Sequence, residues 1–288
     1  MKRLASLATA VLILVAIALS VVALNRSKAT QQHTSALDRV LKTGTLRVGY
    51  VNYPPGTIVD PKTGHVSGIF PDLTRQLGKD LDLKVEFTEE VGWATLIEGL
   101  KTGRYDIIGG LWANPERGRY ATVSTPVYYS GIGVWTRPKE TRVSSANNWT
   151  SLNSPGITIG AIDGSTPLEI IHDQFPNAHL VTYPNLTTEP QLFVDLATKK
   201  IDVFLAEPSQ GIQYLSKNPG TVINQAADHP IRVFADVFLM PSDEPQFKNM
   251  IDTALFDLQS RGITDQLVDK YQVAPGAFYR TATPYVGR

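Results

Sequence analysis

Residues 111 to 129 read LWANPERGRYATVSTPVYY, and Arg117 and Arg119 stand there with no acidic cluster to satisfy both. A guanidinium is a planar fork of donors that meets a carboxylate with two parallel hydrogen bonds, so Arg117 is a candidate anion anchor. The alternative is a solvated surface charge beside Glu116. A second candidate is Glu207, in the segment LAEP. It follows an apolar run that reads as a buried strand, and clefts in α/β proteins form at the carboxyl ends of strands. Its alternative is an ordinary acid at a helix N-terminus before Pro208, where the dipole favours it. Ser165 and Thr166, between Gly164 and Pro167, bring hydroxyls to a helix start. There they serve a carboxylate ligand, plain N-capping, or both.

Other chemistries are excluded. The 288 residues contain no Cys, so disulfides, thiolate metal sites and a Cys nucleophile are absent. The five histidines, His33, His65, His172, His179 and His229, form no close-spaced pair, which speaks against a two-histidine metal site or a triad. No catalytic residue, metal or cofactor is expected. Formal charge is zero, but Lys2, Arg3, Arg26 and Lys28 flank an apolar stretch with no acidic counterpart; without them 23 basic residues face 27 acidic ones. A body near −4 does not suit nucleic acid as a partner.

The elements that must position these residues alternate. Ala36 to Lys42 reads as a short amphipathic helix stopped by Gly44, and Thr45 to Tyr50 as a strand. Helices follow at Phe70 to Leu81 and Trp93 to Lys101, with strands at Lys84 to Thr88, Asp106 to Leu111 and Gly131 to Thr136. The pattern restarts with a strand at Thr158 to Ile162 and a helix at Pro167 to Phe175. Strands at His179 to Thr182 and Ile201 to Leu205 enclose a helix at Pro190 to Lys199. A helix around Gly211 to Ser216, a strand at Ile231 to Met240 and helices at Pro245 to Gln259 and Asp265 to Tyr271 complete it. Repeated β–α–β units imply mainly parallel sheets, and the length suits two α/β lobes with a cleft between them. Asp106 and Asp202 each open a buried strand and look like matched architectural positions rather than site residues.

At the N-terminus, Met1-Lys2-Arg3 precedes an uncharged run from Leu4 to Leu24. It is longer than an ordinary signal core and about the length that spans a bilayer, so it reads as a signal peptide or an uncleaved anchor. Either way the body is exported, to the periplasm or another extracytoplasmic space.

The landmarks LDRVLKTGTLRVGY, Tyr-Pro-Pro at 53 to 55, GIFPDLTRQLGKDL, GWATLIEGLKTGRYDIIGG, ANPERGRYATVSTPVYY, Gly-Ser-Thr at 164 to 166 and KKIDVFLAEP follow one another in order. In that order they resemble the bacterial family 3 extracellular solute-binding proteins, over nearly everything from Leu37 to Tyr271. The resemblance implies a two-lobed periplasmic binding protein of type II fold, with two mainly parallel sheets joined by a hinge of two crossings. Residues 1–35 would be the signal or anchor with its linker, 36–134 and 236–272 one lobe, 135–235 the other, and 273–288 a tail. The crossings would lie near Val134 to Pro138 and Val233 to Val237.

The resemblance also implies roles. Arg117 would take a ligand's α-carboxylate and Glu207 its α-ammonium, with Ser165 and Thr166 supporting the carboxylate. Tyr53 and Trp93 would line the cleft, and Gly110 would touch the ligand through its backbone. Core packing is the alternative for the aromatics, and close strand approach for the glycine. Trp112 departs from the pattern: it stands where amino-acid binders carry Ser or Thr, so a hydroxyl is replaced by bulk and one indole N–H. The implied function is capture of a small carboxylate-bearing solute, an amino acid or close relative, by a monomer that delivers it to an ABC permease in the inner membrane. The alternatives are an enzyme on the same scaffold, similar to the cyclohexadienyl dehydratases, and a membrane-tethered sensor or accessory module.

Overall fold

The computed structural model describes residues 35–145, 148–275 and 277–281. The Leu4 to Leu24 segment read as signal or anchor lies outside them. Among the described residues no helix is long and apolar enough to cross a membrane.

Helix α1 (Ala36–Thr43) starts where Ser35 Oγ accepts the Asp38 N–H at 3.0 Å and stops at Gly44, whose φ of 63° is left-handed. Strand β1 (Thr45–Tyr50), the small hairpin of β2 (Ile58–Val59) and β3 (Val66–Ser67), and helix α2 (Ile69–Asp80) follow. Then come β4 (Lys84–Glu90), α3 (Leu96–Lys101), β5 (Ile107–Trp112), the one-turn α4 (Pro115–Gly118), β6 (Ala121–Val123) and β7 (Tyr128–Thr136). The second series is β8 (Thr158–Ile162), α5 (Thr166–Gln174), β9 (His179–Tyr183), α6 (Glu189–Ala197), β10 (Val203–Ala206) and α7 (Pro208–Lys217). Strands β11 (Ile223–Asn224) and β12 (Arg232–Pro241) and helices α8 (Pro245–Ser260) and α9 (Ile263–Tyr271) close the order.

The fold is the expected two-lobed α/β architecture, with β4–β1–β5 parallel in one lobe and β9–β8–β10 parallel in the other. The two sheets are continuous rather than separate, because β7 and β12 are long enough to pair at two levels. Residues 128–132 of β7 lie antiparallel to β12, and residues 133–136 antiparallel to β10. The change of partner falls between Ile132 and Gly133, just upstream of the stretch expected from sequence. Strand β12 pairs with β7 through Arg232–Asp236 and with β5 from Asp236 onward.

The cores follow the lobes. Val40, Leu46, Ile69, Leu73, Leu77, Phe238, Phe247 and Leu255 pack one, and Ile159, Ile170, Val203, Leu205, Leu152 and Val134 another. Asp106 and Asp202 are the matched girders the sequence suggested. Asp106 accepts from the Arg47 N–H at 3.0 Å and pairs with Arg39 and Arg47; Asp202 accepts from the Thr158 N–H at 3.1 Å and pairs with Arg137 and Arg142.

One element is shorter than its periodicity suggests. Residues 92–95 form a turn in which both the N–H and the hydroxyl of Thr95 reach the Gly92 carbonyl, so α3 begins only at Leu96. A Thr hydroxyl competing for a local carbonyl is a known alternative to helix. Trp93 is thereby left before the helix, at the edge of the cleft.

Candidate functional site

A cavity of about 470 Å3, its mouth included, opens between the lobes, and all eight residues singled out from sequence line it: Tyr53, Trp93, Gly110, Trp112, Arg117, Ser165, Thr166 and Glu207.

Arg117 is placed by α4. Asn114 caps that turn, accepting the Arg117 N–H at 2.8 Å, and Pro115 occupies its first position. The side chain turns inward: Arg117 is 5 % exposed, donates from Nη1 to the Trp112 carbonyl at 2.8 Å, and lies 5.9 Å from the Trp93 ring centroid. Burial pulls the guanidinium down to about 10, against the fields of Glu169, Glu116 and Asp236, so it stays charged at neutral pH. Among the described residues no carboxylate hydrogen-bonds to it. Arg119, by contrast, is exposed.

Ser165 and Thr166 divide their work. Ser165 holds the N-cap position of α5, yet its hydroxyl makes no capping bond and is buried with no partner. Plain N-capping is therefore not its role, and its Oγ is available at the cavity wall. Thr166 Oγ1 accepts from Asn114 Nδ2 at 3.2 Å, and the same amide reaches both Glu169 oxygens at 3.0 Å. Asn114 thus ties α4 of one lobe to α5 of the other. The lobes also touch where Gln210 donates to the Pro54 carbonyl and where Gly164 abuts Ala94. With φ at 72°, and a Cβ that would stand 2.4 Å from Ala94 Cα, residue 164 has room only for glycine.

The aromatic wall is Tyr53 edge-on to Trp93, centroids 5.3 Å apart. Gly110 lines the cavity, and at φ 79° a Cβ there would come 3.2 Å from Phe70, as close strand approach requires. Trp112 spends its one donor on Ser130 Oγ at 2.7 Å and stacks one face on Phe234, 5.4 Å away. Its indole N–H therefore does not replace the missing hydroxyl toward a ligand.

Glu207 is 3 % exposed and accepts from Ser130 Oγ at 3.0 Å and Ser209 Oγ at 2.9 Å. Ser130 also contacts Asp236 at 2.6 Å. Burial pushes Glu207 to about 7 and Asp236 well above the usual carboxylate range, the latter helped by the charge of Glu207. A third acid, Glu189, is 6 % exposed and lines the cavity. Burial and the nearby Glu207 charge push it to about 8, against hydrogen bonds from its own N–H and from Trp93.

The family model of the bacterial extracellular solute-binding proteins, family 3, matches residues 46–274. The chain belongs to that family. Among curated relatives, the cyclohexadienyl dehydratase of Pseudomonas aeruginosa is 25 % identical over 260 residues, which cover 88 % of this chain and 92 % of that one. The ABC transporter arginine-binding protein 1 of Escherichia coli is 29 % identical over 168 residues, 58 % of this chain and 64 % of its own. The crystal structure of AncCDT-1, an ancestral amino acid-binding protein described as a precursor of cyclohexadienyl dehydratase, aligns with a TM-score of 0.69 at 24 % identity. It covers 83 % of this chain and all of the other, and at that identity it shows the fold alone.

In this solute-binding protein, four contributors escaped the sequence reading. Asn114 carried an N-cap signal, an Asn before Pro at a helix start, that was there to be used. Asp236 and Ser130 are lone polar residues inside apolar strands, a detectable anomaly. Glu189, just before Pro190 at a helix start, looks like any dipole-favoured acid. Among the described residues no group of three or more His, Asp or Glu is arranged to hold a metal.

Proposed function

We propose that the protein is a periplasmic receptor that captures a small carboxylate-bearing solute, an amino acid or close relative, between its lobes for import by an ABC permease. Residues 36–134 with 236–272 form one lobe and 135–235 the other, with β7 and β12 as the hinge. The observation that carries the reading is Arg117: a buried guanidinium lining the cavity, with no protein carboxylate bonded to it. Leaving such a group unpaired in a dry site is costly, so an incoming carboxylate is its natural partner. Ser165 Oγ adds a donor at the cavity wall, and Glu207, in the same lining, is the acid for a solute's cation. Hydrogen bonds to charged groups contribute about 1.5–3 kcal/mol each, and micromolar affinity requires about 8. Closure around the solute follows from its contacts with both lobes.

Titration calorimetry against a panel of amino acids and small carboxylates tests this, with Arg117→Ala alongside. Loss of about a hundredfold or more in the variant is expected. Equal binding by wild type and variant would remove Arg117 from the site.

A second reading, catalysis on the same scaffold, is favoured by Glu189 and Glu207. Burial holds both near neutrality, so a carboxylic acid is present in the cavity to protonate a leaving group. Turnover of prephenate or arogenate by purified protein would establish it, and absence of product at high enzyme concentration would end it.

A further inference from the structure

We propose that Glu116 and Glu169 form a proton-operated latch across the cleft. The lobes close by trapping one proton between these two carboxyl groups, so capture tightens as the medium acidifies. This rests on the proposed function, of which it describes the closing step.

Glu116 belongs to α4 of one lobe and Glu169 to the first turn of α5 of the other. Their side chains line the same outer groove of the cleft and hydrogen-bond to each other. Two carboxylates cannot do so, because neither has a donor; one of them must carry a proton. Asn114, which caps the turn that holds Glu116, brings Nδ2 to both Glu169 oxygens at 3.0 Å and fixes that acid at the junction. The backbones meet at the same groove, where Gly164 abuts Ala94.

No basic side chain among the described residues forms an ion pair that replaces the proton. The field of Arg117 favours ionised Glu169, but its side chain donates to the Trp112 carbonyl. Glu98 and Lys101 of α3 line the groove, and Lys101 sits over the Tyr120 ring, 4.2 Å from its centroid, as Arg119 does at 5.4 Å. His172 and Asp173 follow Glu169 on α5 and are exposed. Burial, then the hydrogen bond and the charge of Glu116, push Glu169 up to about 7, against Arg117 and Asn114. Once the lobes part, both acids return to water and to the ordinary glutamate range. Between about pH 4.5 and 7 the closed form therefore holds one more proton than the open form, and falling pH favours closure. A solute carboxylate on Arg117 offsets the field that opposes protonation, so capture and proton uptake reinforce each other.

The test follows lobe separation with no solute added, so its outcome is independent of what Arg117 binds. The chain has no Cys, and Leu41→Cys and Ser216→Cys, at exposed positions in the two lobes, take a pair of spin labels. Pulsed electron resonance at pH 8 and pH 5 then reads the ratio of closed to open molecules. Glu189, Glu207 and Asp236 titrate in the same direction inside the cavity, so the latch is read from the difference between wild type and variants. On acidification the wild-type ratio should rise about tenfold or more beyond its rise in Glu169→Gln; the unscreened shift would give about seventyfold. Glu116→Gln should lose the same part of the response, although the burial of Glu169 is untouched. The same two distances in each variant show that it is folded. A response that survives in Glu116→Gln makes Glu169 a lone buried acid and overturns the latch. Equal responses in all three proteins, or a separation indifferent to pH, also overturn it, and each of these leaves the carboxylate anchor standing.

Discussion

Asp236 and Glu207 meet on one hydroxyl: Ser130 Oγ stands 2.6 Å from an Asp236 oxygen and 3.0 Å from a Glu207 oxygen. A serine has one proton to give, and this one also accepts from the Trp112 indole. It can donate to one acid only, so the other acid must itself be protonated to bond. Asp236 lies on β12, Ser130 on β7 and Glu207 at the end of β10, so one proton joins both crossing strands to the ligand site.

The first prediction concerns that bridge. Both acids titrate higher in the folded chain than unfolded, so the folded state binds more protons above the ordinary carboxylate range, and stability falls as pH rises through that window. The hydrogen bond from Ser130 moderates the effect by favouring the ionised form of whichever acid receives it. Ser130→Ala should lower stability by about 1–3 kcal/mol, and by more at pH 8 than at pH 5. Urea unfolding at the two values checks it; an equal loss at both would detach the bridge from protonation.

Ser165 should separate stability from affinity. Its buried hydroxyl has no partner, so Ser165→Ala removes a polar group that folding does not satisfy. Thermal stability should hold or rise slightly, while affinity for the amino acid identified by calorimetry drops about tenfold or more. A destabilised variant with unchanged affinity would make the serine structural.

Asp106 should behave in the opposite way. It is 1 % exposed and holds Arg39, Arg47 and the β1 backbone. Breaking a buried pair from one side leaves the other partners unmatched, so Asp106→Asn should cost about 3 kcal/mol and leave affinity unchanged. For its counterpart Asp202, burial alone would raise the pKa, but hydrogen bonds from Arg142, the Thr158 N–H and Arg137 outweigh it and lower it. Its contribution is therefore present above the unfolded carboxylate pKa and lost as pH falls through the folded one. Acid unfolding of Asp202→Asn should accordingly be less steep than that of wild type.

These cases show what the sequence exposed. The two aspartates were readable as architecture because each opens an apolar strand after a basic residue, a local pattern. Arg117 stood out because an order of landmarks resembling the family's surrounds it, and Trp112 because it breaks that order. What Trp112 does was not readable, since Ser130 and Phe234 reach it from distant strands. The continuity of the sheet was hidden for a like reason: β7 and β12 are legible as strands, but their change of partner depends on pairing. Glu189 is the clearest loss, because burial, not residue type, distinguishes it from other helix-start acids.

Glu189 therefore carries the last prediction, on stability rather than binding. Burial and Glu207 raise its pKa to about 8. The unfolded chain loses this proton near the ordinary glutamate value, so between there and about pH 8 the folded state holds the extra proton. Stability contributed by the neutral acid is thus intact at low pH and is lost as pH rises through that interval. Gln keeps the shape and one carbonyl acceptor but cannot ionise. Glu189→Gln should match wild type near pH 4 and melt higher at pH 8, by about 2–4 °C for each kcal/mol relieved. Melting curves of the two proteins without added solute, taken across that range, provide the check. Parallel curves would mean that Glu189 is solvated and ionised in the folded chain, and that its place in the cavity wall costs nothing.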